Sequence, residues 1–122
     1  MILNLTLKKV WFDMIASGEK TEEYREIKDY WITRVMHCQG HNNPEHTGYS
    51  CKKATCTACV SRGGMNNFIP FDTVVFRNGY RKDAPVIERK IREIRIGRGR
   101  REWGAEPYTE YIVIEFEGAN AE

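Results

Sequence analysis

The segment from Lys20 to Ile27 carries charged side chains at a spacing that suits ligand recognition. If the segment is extended, its two-residue period places Thr21, Glu23 and Arg25 on one face, and Lys20 can bend toward them from the preceding turn. Arg25 can bind phosphate or Glu23 through its forked guanidinium, and Glu23 can accept a hydrogen bond from a base amino group. A ligand with phosphate and amide edges would fit such a face. The alternative is an edge strand whose charges discourage pairing with other sheets.

A second group of reactive side chains lies in residues 37–67, which hold all the cysteines and histidines of the chain and few aliphatic residues. The cysteines are Cys38, Cys51, Cys56 and Cys59. Because about 30 residues without an aliphatic core rarely form an ordered loop, we expect a structural zinc ion bound by the four thiolates. His41 or His46 can replace one thiol. The alternatives are unmetallated thiols or, under oxidising conditions, two disulfides in any of three pairings.

Arginine is concentrated in the second half of the chain. Residues 77–102 contain ten Lys or Arg and four Asp or Glu, whereas residues 103–122 contain five Glu and no basic residue. Because the guanidinium group binds phosphate in a bidentate manner, nucleic acid is the expected partner. The alternative is that these arginines pair across a sheet with the acidic C-terminal strand. Both interpretations can hold at once.

Three more side chains are candidates for ligand contact. Arg77 and Tyr80 straddle the pair Asn78-Gly79, which is typical of a tight type I′ turn after a strand. Trp31 can stack on a base. The alternative for Trp31 is ordinary packing in the core.

The elements that position these residues follow from the periodicity of apolar side chains. Alternation predicts strands at residues 2–7 and 112–116, and a high density of β-branched and aromatic residues predicts one at residues 71–77. An apolar helical face predicts a helix at residues 8–17, and Asp29 is expected to N-cap a second, short helix. Residues 86–96 fit either a helix or a strand with a bulge near Glu93, since one extra residue moves every later side chain to the opposite face.

The composition fits one α+β domain over residues 1–122, with residues 37–67 as an insertion. At 41% hydrophobic and 11% aromatic residues, the chain is unlike a disordered tail, and no apolar run approaches the ~18 residues of a membrane span. The opening residues do not follow the pattern of a signal peptide, because their charges come after the apolar stretch. We therefore expect a cytoplasmic protein without a membrane partner.

The motif Gly18-x-Lys20-x-x-Glu23-x-Arg25, placed after an amphipathic helix, resembles the signature of the ASCH domain family. The resemblance extends over the first strand and helix, over residues 71–76 and over the closing strand at residues 108–117. It covers about three-quarters of the chain and omits residues 37–67.

This resemblance implies a small PUA-like β-barrel with two or three helices, to which this chain adds a Cys-rich inserted loop. It also implies that Lys20, Glu23 and Arg25 line a cleft beside the barrel that binds RNA or a nucleotide-like ligand. Some members of the family are amidohydrolases acting on an acylated cytidine, in which the motif Lys acts with a hydroxyl two residues before the motif Arg; that position is Glu23 here. If the chain is an enzyme, Lys20 is the expected catalytic residue. A binding module is the leading prediction, with a hydrolase of a modified nucleoside and a protein-interaction module using the insertion as alternatives.

Overall fold

The computed structural model describes residues 1–36 and 68–119. In this part, the chain forms five strands, two α-helices and one 3-10 turn. The strands are β1 (Ile2–Leu7), β2 (Glu22–Arg25), β3 (Thr73–Asn78), β4 (Val86–Arg98) and β5 (Glu110–Phe116). The helices are α1 (Lys9–Ala16) and α2 (Asp29–Val35), and the 3-10 turn spans Arg101–Trp103. None of the helices among the described residues is long and apolar enough to cross a membrane.

The five strands form one curled sheet in the order β1-β3-β4-β5-β2. β1 pairs with β3 in parallel, and the other three pairs of neighbours are antiparallel. Although β1 and β2 are at opposite edges, Arg25 Nη2 donates a hydrogen bond to the Thr6 carbonyl oxygen at 3.2 Å, so the sheet curls enough for one side chain to connect its two edges. The predicted α+β class is confirmed, with the sheet forming a half-barrel.

The concave face of the sheet holds the main core. The strands predicted at residues 2–7 and 112–116 are confirmed, and one face of each strand is buried in this core: Leu3, Leu5 and Leu7 in β1, and Ile112, Ile114 and Phe116 in β5. Phe12 and Ile15 on α1 pack into the same cluster, and the predicted helix is confirmed. Its buried face differs from the predicted one, because Val10 is 54% exposed and Phe12 is buried. β5 is buried on both faces, because Val113 packs in a second cluster with Tyr24 and Trp103.

β4 is the strand that joins the two halves of the sheet. Its first part pairs with β3 and its second part with β5. The pairing with β5 shifts register between Ile91 and Glu93, which confirms the predicted bulge. Because the bulge changes the parity of the strand, Ile87 and Ile91 before it and Ile94 and Ile96 after it all pack against the main core.

Two local predictions were wrong in detail. Asn78 remains in β3 and donates its backbone N–H to the Pro85 carbonyl oxygen at 3.0 Å, so residues 79–85 form a loop and not a two-residue turn. Of the two central residues expected in that turn, Gly79 alone has a positive φ. Asp29 is the first residue of α2 and not its N-cap, because the Lys28 carbonyl accepts the first helical hydrogen bond, from Ile32.

Arg95 on β4 confirms one case of the cross-strand pairing expected for the arginine-rich segment. Its Nη2 donates to Glu22 Oε2 on β2 at 2.9 Å, and its Nη1 donates to Glu115 Oε1 on β5 at 2.7 Å. Burial acts to lower the pKa of Arg95, but the two carboxylates outweigh burial and raise it. Arg95 therefore holds three adjacent strands together through charge-assisted hydrogen bonds.

We expect Arg95→Gln to lower the free energy of unfolding by about 1 kcal/mol, because it removes two charge-assisted hydrogen bonds that solvent partly screens. Urea unfolding measures the change. Arg92→Gln is the matched control, since Arg92 is an exposed arginine on the same strand, and it should change stability by less than about 0.5 kcal/mol. Equal effects of the two substitutions would contradict a special role for Arg95.

Candidate ligand-binding site

A pocket of about 1040 Å³ is lined by residues of both edge strands of the sheet, β1 and β2. Residues of α1, of α2 and of the segment 103–111 also line it. Its lining residues include aromatic side chains (Trp11, Tyr24, Tyr30, Trp31, Tyr80, Trp103 and Tyr111) and charged ones (Lys8, Glu23, Arg25, Glu26, Arg34 and Glu106). All three tryptophans of the chain are among them. The pocket is large enough for a ligand of nucleotide size.

The motif residues Lys20, Glu23 and Arg25 form one buried charge cluster at this pocket. Lys20 Nζ lies 3.1 Å from Glu23 Oε1, and Arg25 Nη1 lies 3.0 Å from Glu23 Oε2. Their side chains are 0%, 6% and 15% exposed in the order Lys20, Glu23, Arg25. Although β2 is at the edge of the sheet, these charges are paired with each other. They do not form a solvated strand edge.

Lys20 lies behind the pocket wall and does not line it. Its ammonium group donates a hydrogen bond to the Trp103 carbonyl oxygen at 3.0 Å. The same group lies 5.3 Å from the ring centroid of Trp11, 4.9 Å from that of Tyr24 and 5.9 Å from that of Trp103. Burial lowers the pKa of Lys20, and the neighbouring Glu23 carboxylate offsets only part of this effect. Lys20 is thus a buried cation enclosed by three aromatic rings and one carboxylate.

Glu23 connects Lys20 to the pocket surface. Its Oε1 accepts a hydrogen bond from the Tyr24 backbone N–H at 3.1 Å and also faces Lys20. Its Oε2 faces Arg25 Nη1. A carboxylate oxygen can accept two hydrogen bonds, so Oε2 retains the capacity to accept one from a ligand. Glu23 is also one of the residues that line the pocket.

Arg25 is fixed in place by backbone carbonyls and by an aromatic ring. Its Nη1 donates to the Tyr24 carbonyl oxygen at 2.9 Å and its Nη2 to that of Thr6 at 3.2 Å. The guanidinium carbon lies 5.0 Å from the ring centroid of Trp31. Trp31 is half-buried and packs against the main core, as the packing alternative expects, and it also lines the pocket.

Arg34 and the ring of Tyr30, both on α2, form a second pairing of an arginine with an aromatic ring among the lining residues. Tyr30 and Trp31 meet edge to face with ring centroids 4.9 Å apart. The Arg34 guanidinium lies 3.4 Å from the ring centroid of Tyr30 and donates to the Tyr30 carbonyl oxygen at 2.6 Å. Because Arg34 is exposed, its remaining donors are accessible from the pocket.

The other predicted contact residues are divided between the pocket and the surface outside it. Tyr80 lines the pocket and is 91% exposed. Arg77 is not among the lining residues, and its Nη1 donates to the Arg81 carbonyl oxygen at 3.0 Å. The predicted zinc ligands, namely Cys38, Cys51, Cys56, Cys59, His41 and His46, lie outside the described residues. Within residues 1–36 and 68–119, no group of three or more His, Cys, Asp or Glu side chains is placed to hold a metal ion.

Sequence reasoning missed several pocket residues, among them Trp11, Tyr24 and Trp103. Trp11 belongs to the apolar face of α1, which indicates only packing. Gly104 gives a partial signal, because its φ is +102° and a Cβ atom there would lie 3.0 Å from the Trp11 ring. The Trp103-Gly104 pair therefore marks the point where the turn approaches α1.

Comparison of the chain with protein-family models, with curated proteins and with solved structures finds no match.

Proposed function

We propose that the chain is an ASCH-like protein with a PUA-like barrel, and that its pocket binds RNA or a nucleotide-like ligand. The observation that carries this proposal is the position of Glu23 and Arg25 beside Trp31 in one aromatic-lined pocket. Stacking surfaces and fixed polar groups are what recognition of an unpaired base requires.

Each part of a nucleotide has a suitable partner in the pocket. A base can stack on the exposed aromatic rings, because aromatic stacking accepts any base. The open acceptor position on Glu23 Oε2 suits an exocyclic amino group, and the accessible donors of Arg34 and the ammonium of Lys8 suit phosphate. The combination supports a ligand that is flat at one end and anionic at the other.

Binding is better supported than hydrolysis. The lowered pKa of Lys20 favours a reactive amine, which is the observation that keeps the hydrolase of a modified nucleoside as the second candidate. However, the Lys20 side chain has no exposed surface and its ammonium lies 3.1 Å from Glu23, which favours the charged form. A hydrolase would release the free nucleoside from an acylated cytidine, and this activity would depend on Lys20.

We expect Trp31→Ala to weaken binding of a nucleotide by about tenfold, because base stacking on an aromatic side chain contributes about 1–3 kcal/mol. The probes are the four ribonucleoside monophosphates, titrated at low salt. Because all the tryptophans line the pocket, quenching of intrinsic fluorescence reports binding in the wild type, and calorimetry provides the comparison with the variant.

Two further variants separate loss of the stacking ring from loss of the fold. Trp31→Leu retains apolar packing against the core and should weaken binding as much as Trp31→Ala. Tyr108→Asn removes an aromatic side chain that is 87% exposed and is not a lining residue, so it should bind the monophosphates normally. If none of the four monophosphates binds the folded wild type, or if Trp31→Leu binds as well as wild type, the proposed pocket function is wrong.

A further inference from the structure

An arginine-rich surface borders the proposed ligand pocket. Arg98, Arg100 and Arg101 are exposed and lie within four residues at the end of β4. The Arg100 guanidinium lies 4.8 Å from the ring centroid of Trp103, which lines the pocket. The Arg100 backbone N–H donates to the hydroxyl of Tyr24, another lining residue, at 2.9 Å. Arg100 Nη1 also lies 3.8 Å from Glu102 Oε1, an exposed ion pair that neutralises part of this charge. Arg98 and Arg101 add positive charge to the surface next to the pocket wall.

Tyr108 projects from the rim of the pocket beside this surface. Its side chain is 87% exposed, and its φ of +58° is unfavourable for a bulky residue. Glu106 and Thr109, on either side of it, both line the pocket, whereas Tyr108 does not. The Arg98 guanidinium lies 5.5 Å from the Tyr108 ring centroid. The loop thus holds an aromatic ring outside the pocket, beside a cation.

We propose that the ligand is single-stranded nucleic acid, with one nucleotide in the pocket and the next one stacked on Tyr108. This inference rests on the proposed function and extends the binding surface beyond the pocket. In this arrangement Arg98, Arg100 and Arg101 contact the phosphate that links the two nucleotides and the phosphates next to it along the strand. A ring beside an arginine is the pairing that single-strand binding proteins use for consecutive bases. A free mononucleotide in the pocket would leave this outer surface unused.

The inference predicts that affinity depends on strand length. Binding of pentauridylate and of the corresponding DNA pentanucleotide is compared with binding of uridine monophosphate by calorimetry or fluorescence anisotropy. At least one of the two pentanucleotides should bind ten or more times more tightly than the monophosphate. Tyr108→Asn should lose fivefold or more of the pentanucleotide affinity and bind the monophosphate unchanged. Asparagine tolerates a positive φ, so this variant removes the ring without forcing the backbone to change.

The arginines are tested by the dependence of binding on salt. Arg98→Gln should reduce the slope of log K against log salt concentration for the pentanucleotide by about 0.7, the value for one lost phosphate contact on a single strand. Arg92→Gln is the control, because Arg92 is exposed on the same strand but six residues away, about 20 Å along β4. Its slope should equal that of the wild type.

The outcomes distinguish failure of this inference from failure of the pocket function. If Trp31→Leu weakens binding of both probes while Tyr108→Asn binds the pentanucleotide like wild type, the proposed role of the outer surface is wrong and the proposed function of the pocket is supported. If Tyr108→Asn loses pentanucleotide binding while Trp31→Leu retains it, the pocket function is overturned. If neither probe binds at any length, both proposals fail and a protein partner becomes the better explanation for the exposed tyrosine and arginines.

Discussion

We expect Lys20→Met to lower the free energy of unfolding by about 3 kcal/mol. Removing one partner from a buried ion pair leaves the other charge without compensation, and this loss is large where water has no access. Lys20 is completely buried and Glu23 is 6% exposed. Arg25 continues to face the second oxygen of Glu23, which keeps the expected loss at the lower end of the range for broken buried pairs. Methionine fills most of the volume of the lysine stem, so the measurement reports mainly on the charge.

Denaturant unfolding of Lys20→Met and of a matched surface variant, Lys9→Met, tests this expectation. Lys9 also pairs with a carboxylate, that of Asp13, but its side chain is 76% exposed. The Lys9 substitution should leave stability nearly unchanged, because exposed ion pairs contribute little. A Lys20→Met protein as stable as the wild type would contradict the role of Lys20 in neutralising Glu23.

The pH dependence of stability offers a second measurement of the same residue. The pKa of Lys20 is lower in the folded protein than its ordinary value of 10.5. At pH values between the folded pKa and 10.5, this lysine is therefore more fully protonated in the unfolded chain than in the folded protein. The contribution of this lysine to stability therefore rises with pH across that window. The stability difference between the wild type and Lys20→Met should widen as pH rises toward 10.5. A difference that narrows over this interval would contradict the lowered pKa.

The sequence allowed the arrangement of the motif residues on one face of β2 to be predicted, but not how deeply their side chains are buried. Two-residue periodicity places Glu23 and Arg25 on one face, and their ion pair of 3.0 Å agrees with it. The burial of Lys20 depends on the Trp103 carbonyl, which is 83 residues away along the chain. No local pattern in the sequence indicates such a contact. The sequence therefore led to the expectation that Lys20 lines the cleft, whereas the structure buries this side chain completely.

The success of the other predictions also depended on whether the controlling contacts are local. The bulge in β4 was predictable because the change in parity is recorded in the sequence itself, between Ile91 and Ile94. The prediction of a tight turn at Asn78-Gly79 was wrong, because Asn78 stays in β3 through its hydrogen bond to Pro85. The turn dipeptide was a real signal for positive φ at Gly79, but the length of the loop is set by where β4 begins.

We expect Gly99→Ala to lower the free energy of unfolding by about 2–3 kcal/mol through steric overlap. A Cβ atom at this position would lie 2.6 Å from Tyr24 Cζ and 2.7 Å from the Ala105 Cβ, distances that real Cβ atoms essentially never show. Tyr24 is buried, and its hydroxyl donates to Glu22 at 2.7 Å and accepts from the Arg100 backbone N–H at 2.9 Å. Displacing the ring strains both hydrogen bonds, which adds to the cost of overpacking the cluster.

Gly97→Ala is the matched control on the neighbouring part of β4, since a Cβ atom there would meet no atom closer than 4.0 Å. It should leave stability nearly unchanged or raise it slightly, because alanine restricts the unfolded chain more than glycine does. A tyrosinate absorbance titration gives a local readout. Burial raises the pKa of Tyr24 in the wild type, and displacement of the ring in Gly99→Ala should lower that pKa toward its ordinary value of 10.0.

A double-mutant cycle then assigns the cost of Gly99→Ala to one contact. If the overlap with the Tyr24 ring is the cause, the combination of Gly99→Ala with Tyr24→Leu should destabilise the protein by less than the sum of the two single substitutions, since the shorter side chain leaves room for the new methyl group. Additive effects would place the strain elsewhere, against Ala105. Because Tyr24 also lines the pocket and faces Lys20 at 4.9 Å, relief of this overlap should remove part of the stability cost of Gly99→Ala without restoring the aromatic enclosure of the lysine. Stability and ligand affinity would then respond differently to the same pair of substitutions.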